Sequence, residues 1–307
     1  MTMHKSVLLN ECIEYLNLKE NSRVVDATLG YAGHSSEVLK RIKKGFLFAF
    51  DQDIDAIKFS EKRLSDIASN YEIIKSNFSH MTEELNKRNI NEVDGILFDL
   101  GVSSPQLDEK ERGFSFHQDA KLDMRMDQEA TFSAKDVVNN YSVEELTRIF
   151  RNYGEEKFAS SIAKGIVNYR ETKEIETTLE LVEIIKANVS EKYRREKHPA
   201  RKVFQAIRIE VNRELDVCND AVRQALKLIK VGGRVCVITF HSLEDRLVKT
   251  IFKEVSEVDK NLRGLPVIPE EYLPNYKIVA NIEPSNEEIE ENSRSRSARL
   301  RVIERIK

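Results

Sequence analysis

A chain of 307 residues, 33% of them charged and with a net charge of −3, is long enough for a large core or two domains, and its overall charge gives no general pull toward nucleic acid. It holds no run of about 18 apolar residues, so no transmembrane helix is expected, and residues 1–10 lack the apolar stretch of a signal peptide, which predicts a cytoplasmic protein. Its three cysteines, Cys12, Cys218 and Cys236, have neither metal nor redox spacing and read as reduced, buried small hydrophobes, so no metal is expected.

A lead-in over 4–17 places Val7, Leu8, Cys12 and Leu16 at helical spacing. A strand is expected at 23–27 and a helix from about 35 to 44, stopped by Gly45. Between them lies Asp26-Ala-Thr-Leu-Gly-Tyr-Ala-Gly-His34. Gly30 and Gly33 allow a sharp turn and close approach of a ligand, and the helix start offers N–H groups to a phosphate or a carboxylate. A dinucleotide fingerprint would need glycine where Ala32 and Ser35 stand, which disfavours a pyrophosphate and a nicotinamide oxidoreductase. S-adenosylmethionine, an adenosyl ligand with a carboxylate, fits the same corner; an ordinary strand–turn–helix connection is the alternative. The next strand, 46–50, ends at Asp51, about 20 residues beyond the glycines, where a ribose acceptor belongs. A helix at 54–67 follows, then a strand at 71–75 closing on Phe78, which either covers an adenine face or fills the core. After a further helical stretch, a strand at 93–100 carries Asp99. Four strands alternating with helices predict a parallel, right-handed α/β sheet.

The alternation then stops. Residues 106–201 show helical periodicity, as at 143–150, 158–169 and 179–189, and no strand, which predicts a helical insertion. One long helix is expected at 202–229, with Phe204, Ile207, Val211, Leu215, Cys218, Val222, Leu226 and Ile229 as its apolar stripe and Gly232-Gly233 as its stop. A strand at 234–240, a helix at 243–255, an irregular segment at 264–275 containing Pro266, Pro269 and Pro274, and strands at 276–281 and 299–306 complete the chain.

Ligands of open α/β sheets sit outside the carboxyl ends of the strands. Ala32, Gly33, His34, Asp51, Phe78 and Asp99 converge there. His34 reads as a polar helix-start residue rather than a proton carrier. The Gly-, Ser- and Pro-rich loop from Asp99 to Asp108 leaves strand four at the site. Phe114, Phe116, Met124 and Met126 form either a stacking surface for a base or a small core that pins the insertion. Lys192, Arg194, Arg195, Lys197, Arg201 and Lys202 surround Tyr193 and His198; Arg294, Arg296, Arg299 and Arg301 follow the acidic run 287–291. Such clusters grip phosphates and stack bases, or are solvated faces. His241 and Ser242 leave strand five at the same sheet edge.

Long stretches of the chain are similar to one known family. They are Asp26–Ser35, Asp94–Asp108, Arg112-Gly-Phe-Ser-Phe116, Leu122–Asp127, His198–Asn212, Phe240-His-Ser-Leu-Glu-Asp-Arg246 and Ser293–Arg301. In them the sequence resembles the bacterial 16S rRNA (cytosine-N4)-methyltransferases, the small-subunit methyltransferase H family. The resemblance implies an α/β, class I methyltransferase, Rossmann-like, mostly parallel sheet with an inserted all-helical domain: 1–105 with 202–307 for the methyltransferase domain, 106–201 for substrate recognition. It implies S-adenosyl-L-methionine as donor and a decoding-region cytidine of 16S rRNA, within the small ribosomal subunit, as acceptor. Ala32, Gly33, His34, Asp51, Phe78, Asp99 and Gln106 would bind the cofactor, and Arg194, Arg195, Arg201, Arg208, His241 and Ser242 would contact RNA. Asp99 is taken as a cofactor contact and is the one candidate for catalysis; the two prolines that follow the strand-four acid or amide in many amino-methyltransferases are absent, since Asp99-Leu-Gly stands here. The family carries glycine where this chain has Ala32. A methyltransferase of protein or small molecules, and a ribosome-binding assembly factor without catalysis, are the competing readings.

Overall fold

The computed structural model describes residues 6–102, 104–196, 198–262 and 267–307. Lys197 and Pro266, named above, and His4, Ser103 and Gly264, which fall within stretches given above, lie outside the described residues. The chain divides into two compact units, 1–101 with 215–307, and 102–214.

The first unit is built on a seven-stranded sheet. In chain order its elements are α1 (Leu9–Tyr15), β1 (Arg23–Asp26), α2 (Gly33–Arg41), β2 (Phe46–Asp51), α3 (Ile54–Ser65), β3 (Tyr71–Lys75), α4 (Met81–Asn86) and β4 (Val93–Asp99). The second unit then supplies α5 (Ser104–Asp108), α6 (Ala134–Asn140), α7 (Val143–Asn152), α8 (Ala159–Arg170), α9 (Thr178–Ala187), α10 (Glu191–Glu196) and α11 (Ala200–Asn212). The chain returns to the sheet unit through α12 (Glu214–Leu228), β5 (Ile229–Thr239), α13 (Ser242–Ser256), β6 (Tyr276–Ile282), α14 (Asn286–Glu291) and β7 (Arg299–Arg305).

Strand order is β3-β2-β1-β4-β5-β7-β6, with β7 antiparallel to both neighbours and the other pairs parallel. This is the Rossmann-like, mostly parallel sheet that the resemblance implies. Its central strands read as continuous apolar runs because helices cover both faces: β4 buries Val93 and Gly95-Ile-Leu-Phe98. Phe50, Phe98 and Phe252 are fully buried, each contributing about 1.5–3 kcal/mol. Register aligns the strand tips: Asp26 of β1 lies opposite Ala49 of β2 and Leu97 of β4, each two residues short of its strand-end aspartate.

The helical unit has its own core. Leu146, Ile149 and Phe150 from α7, Ile162 and Ile166 from α8, Leu181 and Ile185 from α9 and Val203 and Ile207 from α11 meet there. Capping boxes start three of its helices, at Ser133, Ser142 and Thr177. Among the described residues its one β contact outside named strands is the isolated bridge between Lys121 and Thr177.

Two expectations fail for physical reasons. The helix expected at 202–229 is two helices, broken by Arg213 in the left-handed conformation at φ 50°. The break hides in the sequence because the apolar period runs straight across it: Phe204 and Ile207 serve the helical core, while Cys218, Val222 and Leu226 serve the sheet core. Nor do Gly232 and Gly233 stop that helix, which ends at Leu228; both lie inside β5. The β4–β5 register shifts between Val93 and Gly95, and a Cβ on Gly233 would come within 2.7 Å of the Asp94 carbonyl oxygen. These glycines let two strands approach across an irregularity.

Candidate active site

The loop after β1 is a set of backbone hydrogen bonds tied to three strand-end aspartates. Thr28 donates its N–H to Asp26 Oδ1 (3.1 Å), and its own hydroxyl oxygen accepts the Asp99 N–H (2.6 Å). Gly30, at φ 48°, donates to Asp51 Oδ2 (2.8 Å). Asp51 Oδ1 accepts from Asp53 N–H (2.8 Å). Ser35 donates its hydroxyl to Asp26 Oδ2 (2.6 Å). Ala32 caps α2 at φ 57°, fully buried, a conformation an L-residue adopts at a cost of about 1–2 kcal/mol. Gly33 packs so closely on Ser6 that a Cβ there would lie 1.8 Å from the Ser6 hydroxyl oxygen.

Burial pushes the Asp26 and Asp51 carboxyls up to about 6, held back by the hydroxyl and N–H groups that donate to them. Asp99 goes further, to about 8: burial is the main cause, and the negative charges of Asp26 and Glu244 add to it. Its Oδ1 is buried with no hydrogen-bond partner among the described residues. Its Oδ2 lies 3.5 Å from His34 Nδ1, and His34 Nε2 is 3.2 Å from the Val7 carbonyl oxygen. Burial lowers the imidazole to about 4. Phe78 begins a short 3₁₀ turn after β3, half-buried and edge-on to Phe98 at 5.8 Å.

Ala32, Gly33, His34, Asp51 and Asp99 are thus joined at one rim of the sheet, and Phe78 follows the neighbouring strand. The expected reading of His34 missed its contact with Asp99, and Asp26 and Thr28 were not picked out. An aspartate two residues before a threonine at a strand end was the available signal, since such side chains bond their own backbone two residues on. His241 caps α13, its Nδ1 accepting the Glu244 N–H at 3.4 Å and its Nε2 lying 3.1 Å from Glu244 Oε1; Ser242 is exposed on the first turn.

In the helical unit Gln106 is buried in α5. Phe114 and Met124 are core residues, whereas Phe116 is half-buried and stacked on His198 at 4.6 Å. Arg194, Arg195 and Arg201 are exposed, with Arg195 paired to Glu191. Tyr193, for which the cluster left base stacking open, faces inward: it is 8% exposed and donates its hydroxyl to the buried Glu156 (2.7 Å). Arg208 grips Glu214 through two bonds of 2.8 Å. In the C-terminal cluster Arg301 makes a two-pronged pair with Asp245 (2.7 and 2.9 Å) and Arg299 pairs with Glu283, so half of that cluster serves the fold.

These residues can hold an adenosyl sulfonium. Asp51 stands where ribose hydroxyls need an acceptor, the start of α2 is where a carboxylate would bind, and Asp99 Oδ1 remains for a cation or an N–H donor. The chain is 52% identical over 310 residues to a ribosomal RNA small subunit methyltransferase H from Exiguobacterium sibiricum, covering 100% of this chain and 99% of the relative. Solved structures similar to it include an rRNA methylase from Streptococcus thermophilus (13% identity, TM-score 0.45, all of both chains) and an S-adenosylmethionine-dependent O-methyltransferase from Thermotoga maritima (10% identity, TM-score 0.44, 100% of this chain and 69% of that one). The model of the MraW methylase family matches residues 1–306, and the chain belongs to that family.

Proposed function

We propose that the protein transfers a methyl group from S-adenosyl-L-methionine to the N4 amino group of a decoding-region cytidine in 16S rRNA, acting on the small ribosomal subunit in the cytoplasm. The full-length identity to a small-subunit rRNA methyltransferase carries this reading. No helix among the described residues is long and apolar enough to cross a membrane.

The donor supplies an electrophilic methyl on a sulfonium. The chain's task is to bring a poor nucleophile, an amine whose lone pair is delocalised into the ring, into line with that methyl; such orientation is worth several kcal/mol. In the sheet unit Asp51 holds the donor's ribose, and Ala32, Gly33, His34 and Phe78 complete the binding of the donor; Gln106 of the helical unit is carried as a candidate donor contact from the family resemblance alone. Asp99 meets the donor and is the candidate acceptor for the amine's N–H. The cytidine leaves its stack to reach the site. The helical unit, 102–214, is the candidate for RNA recognition through Arg194, Arg195 and Arg201; in the sheet unit, taken by itself, His241 and Ser242 are the candidate RNA contacts. Arg208, already held by Glu214, supports α11 before it touches RNA.

Methyl incorporation into small subunits from cells lacking the protein, followed by mass mapping of rRNA nucleosides, tests the reading: label in a single N4-methylated cytidine supports it, and label in protein overturns it. Replacing Arg194 and Arg201 together with alanine is expected to leave stability within about 0.5 kcal/mol and to lower the salt slope of RNA binding by about 2, one for each lost phosphate contact.

A further inference from the structure

A line of polar contacts runs from the Val7 carbonyl through the His34 ring to Asp99. A carbonyl oxygen only accepts, so His34 Nε2 must carry the hydrogen that faces Val7 at 3.2 Å. Nδ1 is then a bare lone pair, 3.5 Å from Asp99 Oδ2. Two lone pairs at that distance repel unless a proton lies between them. The groups facing Asp99 decide where it sits: Asp26 from β1 and Glu244 from α13 are acids, and Cys12 from α1 is a thiol kept neutral by burial. Among these neighbours none offers Asp99 a positive charge, so the proton rests on the carboxyl group. Burial of His34 points the same way, holding the imidazole neutral at ordinary pH.

We propose that His34 is a positioning residue for Asp99: its Nδ1 accepts the Asp99 carboxyl proton in the protein without ligand, and binding of the cationic methyl donor discharges that proton to solvent. The inference rests on the S-adenosylmethionine reading above. The balance is simple: one O–H bond of Asp99 breaks, its electron pair stays on the carboxylate, and the proton passes to buffer. The positive charge of the sulfonium and ammonium groups replaces it. The acid thus stays neutral until a positive ligand arrives, and a neutral thioether product holds the carboxylate less well than the donor does. Donor and product are thereby told apart by charge at a residue that never changes its covalent state.

Two measurements test this. In protein labelled with ¹⁵N-histidine and without ligand, His34 is expected to show the Nε2–H tautomer with a hydrogen-bonded Nδ1, changing in one step near pH 8; a step at pH 5 or below, or an Nδ1–H tautomer, overturns the proposal. Calorimetry of S-adenosylmethionine binding at pH 7, in two buffers of different ionisation enthalpy, is expected to show close to one proton released, declining to none above pH 9. Asp99→Asn is expected to abolish the release. His34→Leu, which removes the acceptor, is expected to move the pH at which release fades down by at least one unit, and His34→Asn, which returns an oxygen acceptor near the Nδ1 position, to restore it. A His34→Leu protein that binds more weakly at every pH with an unmoved profile shows a purely structural histidine and overturns the role given to it. Binding without proton release overturns the inference alone, whereas no binding overturns the donor assignment and the release step with it.

Discussion

Asp51 and Asp99 end the two strands that flank β1, yet the protein treats their carboxyl groups differently. Asp51 receives backbone N–H groups from Gly30 and Asp53 and is pushed up only to about 6. Asp99 receives none on its side chain among the described residues, faces Asp26 and Glu244, and goes to about 8. The same residue type at equivalent strand ends is already steadied by N–H donors in one place, with lone pairs to spare for a ribose, and is without such donors in the other. Local donors, more than burial, set which carboxyl group keeps its proton until a cation or an N–H donor arrives.

The largest effect that would sharpen this contrast is on stability at high pH. An acid with a raised folded-state pKa contributes stability that is full below its unfolded value of about 4 and is lost as pH rises through about 8. Protein without ligand should therefore melt at falling temperature as pH rises from about 6, past the values of Asp26 and Asp51, to about 8. Asp99→Asn, whose amide can donate to His34 Nδ1 at any pH, should remove most of that slope. It should be on the order of 3 kcal/mol more stable than the native chain at pH 8.5, a rise of about 5–10 °C by calorimetry. Asp51→Asn should act in the opposite sense, since its amide nitrogen must face a backbone N–H: a loss of about 1–3 kcal/mol by denaturant unfolding, with S-adenosylmethionine affinity down at least tenfold. Equal effects from the two asparagines would break the comparison. The smallest change concerns the loop that joins the two tips. Ala32→Gly relieves the left-handed strain but loosens the unfolded chain, for a net gain of about 0.5–1 kcal/mol, seen as a melting temperature about 2 °C higher.

Much of this site was legible before any coordinates. Asp51 and Asp99 were readable because a parallel strand announces itself as an apolar run, and the residue that ends it lies at the rim where ligands of open α/β sheets sit. What stayed hidden was pairing between distant residues. Nothing local ties His34 to Val7 or Asp99; their meeting depends on α1, α2 and β4 converging. Arg213 was invisible for the converse reason, since the helical period is undisturbed by one left-handed residue with no glycine or proline to flag it. The inward turn of Tyr193 was not legible because its neighbours in sequence are basic while its neighbour in space is Glu156.

The placement of the helical unit between β4 and β5 bears on how the chain folds. Asp99 pairs with Ile238, so the centre of the sheet cannot close until the whole insertion has been synthesised. Closing a disordered segment of that length is entropically costly, and parallel pairings between distant residues form slowly. An insertion that condenses on its own apolar core first converts the long connection into a compact bridge. The order of synthesis then becomes an order of assembly: the half-sheet β1–β4 waits, with β4 as its exposed edge, until β5, β6 and β7 emerge to join it.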